Sequence, residues 1–154
     1  MTGKAPTVHA SAVLVGARAV LIRGPAGSGK SRLAMELIEA AHTGRVRLAR
    51  LVGDDRVHLE PRHGRLLVRP AAALAGLIEI RGLGIRRLDH EACAVVGLLV
   101  DLAAGDAERL PATGQVLVSG ILLPRLALAA GSETLHPVLA ALGTTPASDI
   151  KPAS

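Results

Sequence analysis

The eight residues Gly24-Pro25-Ala26-Gly27-Ser28-Gly29-Lys30-Ser31 constrain this chain more than any other stretch. They fit G-x-x-x-x-G-K-[ST], the pattern of a phosphate-binding P-loop. Glycines let successive backbone N–H groups curl around phosphate oxygens, where a Cβ would obstruct the loop or the ligand. In that pattern the Lys30 ammonium reaches the β- and γ-phosphates and the Ser31 hydroxyl ligates Mg²⁺. The flanks agree with it. Ala19-Val20-Leu21-Ile22 is the apolar, β-branched run of a buried strand, and residues 32–41 read as a helix whose N-terminal dipole faces the loop. A glycine-rich turn that fits by coincidence is the bland alternative, but strand before and helix after favour a nucleotide site.

Composition narrows how such a site is served. The 154 residues suit one domain, 1–154, with loose tails at 1–6 and 144–154. There is no Phe, Tyr or Trp, so the core is aliphatic and no aromatic ring is available to stack on a base. The net charge of +5, carried mainly by arginine, suits phosphates or an acidic protein surface. No nucleic-acid reader motif accompanies it, so nucleic acid is not expected as a partner. Cys93 is the single cysteine, which excludes an intrachain disulfide and a cysteine metal cluster. Its apolar surroundings read as those of a buried structural thiol. Neither a signal-peptide pattern nor a membrane-length apolar span is present, which places the protein in the cytoplasm with no membrane partner.

Along the chain, residues 8–15 read as a strand turned back by Gly16-Ala17-Arg18, a hairpin feeding the loop. Antiparallel pairing would return His9 to the neighbourhood of the loop, as an active-site group or as a mere edge residue. After the helix, Gly44 stands near a C-cap, and a short strand over 48–52 ends in Gly53-Asp54-Asp55. Carboxylates there can hold Mg²⁺ through water or take a proton from an incoming hydroxyl, and adjacent aspartates on a strand point to opposite faces. The bland alternative is an acidic turn. Residues 61–65 read as a turn, 71–77 as short and helix-prone, and 94–102 as a central strand with an almost uninterrupted apolar run. Arg109 sits in a loop, as a surface charge or a clamp on transferring phosphate. Two short β-like runs surround Gly120 and Pro124, and a terminal helix over 132–142 has Ser132 as its expected N-cap.

Within this frame, Glu79-Ile80-Arg81-Gly82-Leu83-Gly84-Ile85 carries a family resemblance. Following His9, the P-loop and Asp54-Asp55, it resembles the signature of the HPr kinase/phosphorylase catalytic domain almost residue for residue. These are bacterial P-loop enzymes that phosphorylate a serine of the phosphocarrier HPr in the phosphotransferase system. The likeness runs over about residues 8–142. It implies an α/β fold: a P-loop NTPase-type mixed sheet flanked by helices, similar to the nucleotide-binding core shared with phosphoenolpyruvate carboxykinase. It also implies ATP and Mg²⁺ as cofactors and HPr or an HPr-like protein as partner. By the resemblance His9, Lys30, Asp55 and Arg109 are catalytic, with Asp55 the acid/base. Gly24, Pro25, Ala26, Gly27, Ser28, Gly29, Lys30 and Ser31 hold the nucleotide, and Ser31 and Glu79 hold the metal. The chain departs from the longer members in starting almost at His9, as the short alphaproteobacterial type does. It also reads Leu122-Leu123-Pro124-Arg125-Leu126-Ala127 where those members carry a Pro-Val-Arg-Pro-Gly-Arg-like stretch linked to the phosphorylase reaction. That weighs against the reverse reaction and leaves the family's hexameric state open. A small-molecule P-loop kinase, or a nucleotide-sensing regulator that no longer transfers phosphate, are the rival readings.

Overall fold

A computed structural model describes residues 6–108 and 114–147. The chain begins with the expected hairpin: β1 (Val8–Val15) and β2 (Arg18–Arg23) pair antiparallel from Ala10↔Arg23 to Val15↔Arg18 across a two-residue turn. Gly16 takes a φ of 65° there, a left-handed value that glycine adopts without steric cost. Helix α1 (Lys30–His42) follows the 24–29 loop and buries Leu33, Ala34, Leu37, Ile38 and Ala40, the stripe a 3.6-residue period produces. Its end is closed as expected. Gly44 (φ 76°) donates its N–H to the Ala41 carbonyl and Arg45 donates to that of Ala40, the paired bonds of a Schellman motif.

Strand β3 (Ala49–Gly53) and strand β4 (Arg56–Arg62) both run antiparallel along the same edge of β1. Gly53 pairs with Ala12 and Arg56 pairs with His9, so Asp54 and Asp55 form a kink opposite Ala10 and Ser11. Strand β5 (Arg65–Pro70) returns along β4, and a short 3₁₀ turn (Ala72–Leu74) leads to a separate two-stranded ribbon of β6 (Leu77–Ile80) and β7 (Gly84–Arg87). Strand β8 (Ala94–Asp101) lies parallel to β2 on one side and to β10 (Ile121–Ala127) on the other. Strand β9 (Gln115–Val118) is the outer strand beside β10, and α2 (Leu135–Gly143) follows.

The pairings β1–β2, β2–β8, β8–β5, β5–β4 and β4–β1 close a ring. Strand alternation then sorts the aliphatic core into two halves. Ala19 and Leu21 of β2 face the inside of the ring with Leu66, Val68, Val57 and Val96. Val20 and Ile22 face outward, where Leu33, Leu37 and Ile38 of α1 and Val138 of α2 cover them. The mixed α/β sheet is thus confirmed, but both α-helices of the described residues lie on one face, and strands rather than helices fill the other.

Smaller expectations also change. Residues 61 and 62 continue β4, and only His63-Gly64 turn, both at positive φ. Cys93 is half-buried rather than enclosed, because it lies in the approach to β8 and not within the strand. The last helix starts at Leu135 with Thr134 as its N-cap, while the Ser132 hydroxyl bonds the Ala129 carbonyl inside the preceding turn. Such a local side-chain bond competes with capping. The expected tails fall largely outside the described residues.

Candidate functional site

The 24–31 loop joins the end of β2 to the start of α1, the strand–loop–helix order that the sequence implied. Gly27 (φ 78°) and Gly29 (φ 100°) supply the left-handed backbone that curls the loop. Gly24 is required for a different reason. A Cβ there would meet Ser28 Oγ, and would lie 3.1 Å from Leu102 Cβ and 3.2 Å from the Leu102 carbonyl oxygen. The Lys30 ammonium lies back over the loop, donating to the Gly24 carbonyl at 2.8 Å. Ser28 Oγ is a buried hydroxyl without a hydrogen-bond partner. The N–H groups of the first helical turn lack intrahelical acceptors, as in any helix.

Opposite this loop, the kink between β3 and β4 divides its two aspartates. Asp54 is 4% exposed. Its carboxylate accepts the Ser31 hydroxyl (2.7 and 2.8 Å to its two oxygens), the Ser11 hydroxyl (2.6 Å) and the Glu79 N–H (3.2 Å). All of these donors are neutral. Asp55 turns outward, with a side chain 64% exposed and Oδ1 3.9 Å from His9 Nδ1. That is beyond hydrogen-bond length and within ion-pair reach of a protonated imidazole. Asp55 sits at φ 70°, and the Arg56 N–H bonds the Asp54 carbonyl at 2.8 Å across it. This is the rare γ-turn with positive φ at its centre, a strained geometry for a residue with a Cβ.

A second charged group closes the other side of the loop. Asp101 at the end of β8 takes a bidentate ion pair from Arg23 (2.8 and 2.9 Å) and a bond from Arg125 Nε (2.6 Å). Arg125 also grips Asp106 at 2.8 and 3.0 Å. Burial pushes the Asp101 carboxyl up, but hydrogen bonds from Arg23 and Arg125 outweigh it and hold the group below the ordinary aspartate value. The bonds from Arg125 likewise hold Asp106 down, and the two aspartates push the Arg125 guanidinium up.

The structure therefore brings together His9 with Asp55, and Ser31 with the neighbouring Asp54. It does not bring the Glu79 carboxylate into that cluster; the Glu79 amide is there, and its side chain is exposed. Among the described residues no group of three or more His, Cys, Asp or Glu side chains is placed to hold a metal. Arg109 lies outside the described residues. Sequence reasoning missed Asp54 as the partner of Ser31, missed Ser11, and missed the Arg23–Asp101–Arg125 network. Arg23 and Asp101 alone left a local signal, each as a charge ending an apolar strand.

The residues present fit a phosphate and a divalent cation. Ser28 supplies an unpartnered buried hydroxyl, Gly24 keeps the loop's first turn free of a side chain, and Asp54 is a buried carboxylate paired only with neutral donors. Mg²⁺ is typically held by one or two carboxylates, phosphates and waters, so a three-carboxylate cage is not needed. A strand, a glycine-bearing loop and a helix start facing a buried carboxylate define the class: a candidate phosphate-binding site on a mixed α/β sheet.

Residues 2–91, more than half of the chain, match the family model described as the HPr Serine kinase C-terminal domain. The chain belongs to that family. It is 40% identical over 78 residues to an HPr kinase/phosphorylase of Clostridium beijerinckii, covering 51% of this chain and 24% of that protein. It is 42% identical over 80 residues to one of Streptococcus thermophilus, with the same shares. The chain thus matches about a quarter of the length of these curated relatives. The fold is that of the Hpr(Ser) kinase/phosphatase from Coxiella burnetii, which it matches at a TM-score of 0.68 and 24% identity over 89% of this chain and 91% of that one. No helix of the described residues is long and apolar enough to cross a membrane.

Proposed function

We propose that the protein is an ATP-dependent serine kinase acting on HPr or an HPr-like phosphocarrier, with 1–154 as one P-loop catalytic domain working in the cytoplasm. The observation that carries this reading is the division of labour within Asp54-Asp55, one carboxylate buried on Ser31 and the other exposed beside His9. In this mechanism the 24–31 loop and the start of α1 cradle the β- and γ-phosphates, and Lys30 swings from the Gly24 carbonyl to neutralise them. Ser31 and Asp54 would hold Mg²⁺, which when bound would offset phosphate charge during transfer, and the exposed Glu79 carboxylate would have to turn in from the ribbon to join them. Asp55 accepts the proton of the carrier's serine hydroxyl as its oxygen forms a bond to the γ-phosphorus and the bond to ADP breaks. His9 keeps Asp55 oriented, and Arg109 stabilises charge on the transferring group. The contribution of the chain is positioning and electrostatics.

The altered stretch disfavours the reverse, phosphorylase direction, because its Arg125 is committed to Asp101 and Asp106. The β6–β7 ribbon, tied to Asp54 through the Glu79 N–H, offers the protein substrate an exposed surface that includes Leu83 and Ile85 as well as Arg81, Arg86 and Arg87.

The test is transfer from γ-labelled ATP and Mg²⁺ to the organism's own HPr-like protein. Label on that carrier, lost when its serine is changed to alanine and lost with Asp55→Asn enzyme, is the expected result. Tight ATP binding with no label on any carrier would overturn the kinase reading in favour of a nucleotide sensor.

A further inference from the structure

We infer that Ser11 is a positioning residue that joins the metal side of the site to its proton-transfer side. This rests on the reading of Asp54 and Asp55 above. Strand β1 alternates: Ala10 and Ala12 face the interior of the β-ring, while Val13 faces the helix-covered core. Ser11 shares the face of Val13 and is fully buried. A buried hydroxyl is costly unless it is hydrogen-bonded, and alanine or valine would carry no such cost at this position. Ser11 uses its hydroxyl twice. It donates to Asp54 Oδ1 at 2.6 Å and accepts the Asp55 N–H at 3.4 Å.

These two bonds act on different groups. The first, together with the Ser31 hydroxyl and the Glu79 N–H, fixes the buried Asp54 carboxylate. The second holds the left-handed residue whose carbonyl is already bound by the Ala10 N–H at 3.2 Å and whose carboxylate lies beside His9. Residues 10 and 11 of one strand thus bond the carbonyl and amide of Asp55, His9 lies beside its side chain, and of the three only Ser11 bonds Asp54 as well. The register of β1 against the β3–β4 kink makes this meeting possible.

The experiment compares Ser11→Ala with Ser11→Thr, which keeps the hydroxyl. The readout is equilibrium binding of ADP, with Mg²⁺ titrated in and again in EDTA. Loss of a hydrogen bond to a charged group should raise the Mg²⁺ concentration giving half-maximal enhancement of ADP binding about tenfold in Ser11→Ala. Affinity in EDTA should stay within about twofold, and Ser11→Thr should restore the Mg²⁺ dependence. A Ser11→Ala protein with the wild-type Mg²⁺ dependence would overturn the inference. So would a Thr variant as impaired as the Ala variant, or an equal loss of affinity in EDTA, since both indicate packing alone. Wild-type protein that binds magnesium–ADP but labels no carrier would remove the kinase reading and with it the proton-transfer half of this role, leaving the hold of Ser11 on Asp54 standing on the binding data.

Discussion

Arg23 and Asp101 end two parallel strands in register, and their side chains form a bidentate ion pair beside the first glycine of the loop. The Leu102 N–H bonds the Arg23 carbonyl at 2.8 Å, so the same strand ends are also joined through the backbone. Because Asp101 is held below its ordinary value of 3.8, folding is favoured wherever the carboxylate is ionised in both states. That contribution is complete above the unfolded-state value and fades as pH falls through the lower folded value. Asp101→Asn should destabilise the protein by about 2 kcal/mol at pH 7, between an exposed pair and a fully buried one. The gap to wild type should shrink below about pH 4 as the wild-type carboxylate protonates. Urea unfolding at pH 7 and pH 3 measures both, and a gap unchanged between them would refute the assignment.

Gly24 should be intolerant of a single methyl group. In Gly24→Ala the Ser28 hydroxyl can rotate away, but Leu102 Cβ and its carbonyl oxygen remain at 3.1 and 3.2 Å and cannot. The loop must shift to relieve them. We expect a folded protein with weakened ATP affinity, since the loop that would cradle the phosphates gives by a few tenths of an ångström to admit the methyl. Isothermal titration with ATP, alongside a circular dichroism melt, decides it; unchanged affinity would show that the loop's first turn does not contact the ligand.

The motif and the hairpin were legible in the sequence because each is local. Lys30 and Ser31 follow their glycines directly, and Gly16-Ala17 announces the turn between β1 and β2. The doublet Asp54-Asp55 was legible as a doublet whose members face different ways, but a γ-turn between β3 and β4, not the strand alternation expected, divides them. Which member faces the loop was not legible, because it depends on β3 and β4 sharing one edge of β1, with β1 placed by pairing across more than 40 residues. Ser11 was invisible for the same reason: a serine in an apolar strand carries no local sign of a distant carboxylate. The placement of both α-helices on one face also escaped notice, since it follows from ring closure by β5 on β8, a pairing of just two residue pairs.

The two aspartates should separate in their effects. Asp54→Asn keeps the hydrogen-bonding shape but removes the buried charge, so Mg²⁺-dependent nucleotide binding should weaken sharply. Asp55→Asn should leave that binding within about twofold while transfer to the carrier falls by roughly 10²–10⁴, the range for loss of a positioned general base. Binding titrations and single-turnover transfer on both variants test this. Equal loss of binding in the two would mean that they act as one acidic turn.

The β6–β7 ribbon should govern the protein substrate and not the nucleotide. Ile78 anchors the ribbon in the core and the Glu79 N–H ties it to Asp54, yet Ile85 is 70% and Leu83 55% exposed. Large exposed apolar side chains on a ribbon that also exposes Arg81, Arg86 and Arg87 suit a partner with acidic and apolar surface. Substituting Ile85→Asp introduces charge at the middle of that surface without touching the core. The expected outcome is a KM for the carrier raised about tenfold or more, in line with loss of a central interface residue. The KM for ATP and the melting temperature should hold near wild type. Steady-state kinetics with carrier and ATP varied in turn measures the split, and parallel rises in both KM values would place the ribbon in the nucleotide site instead.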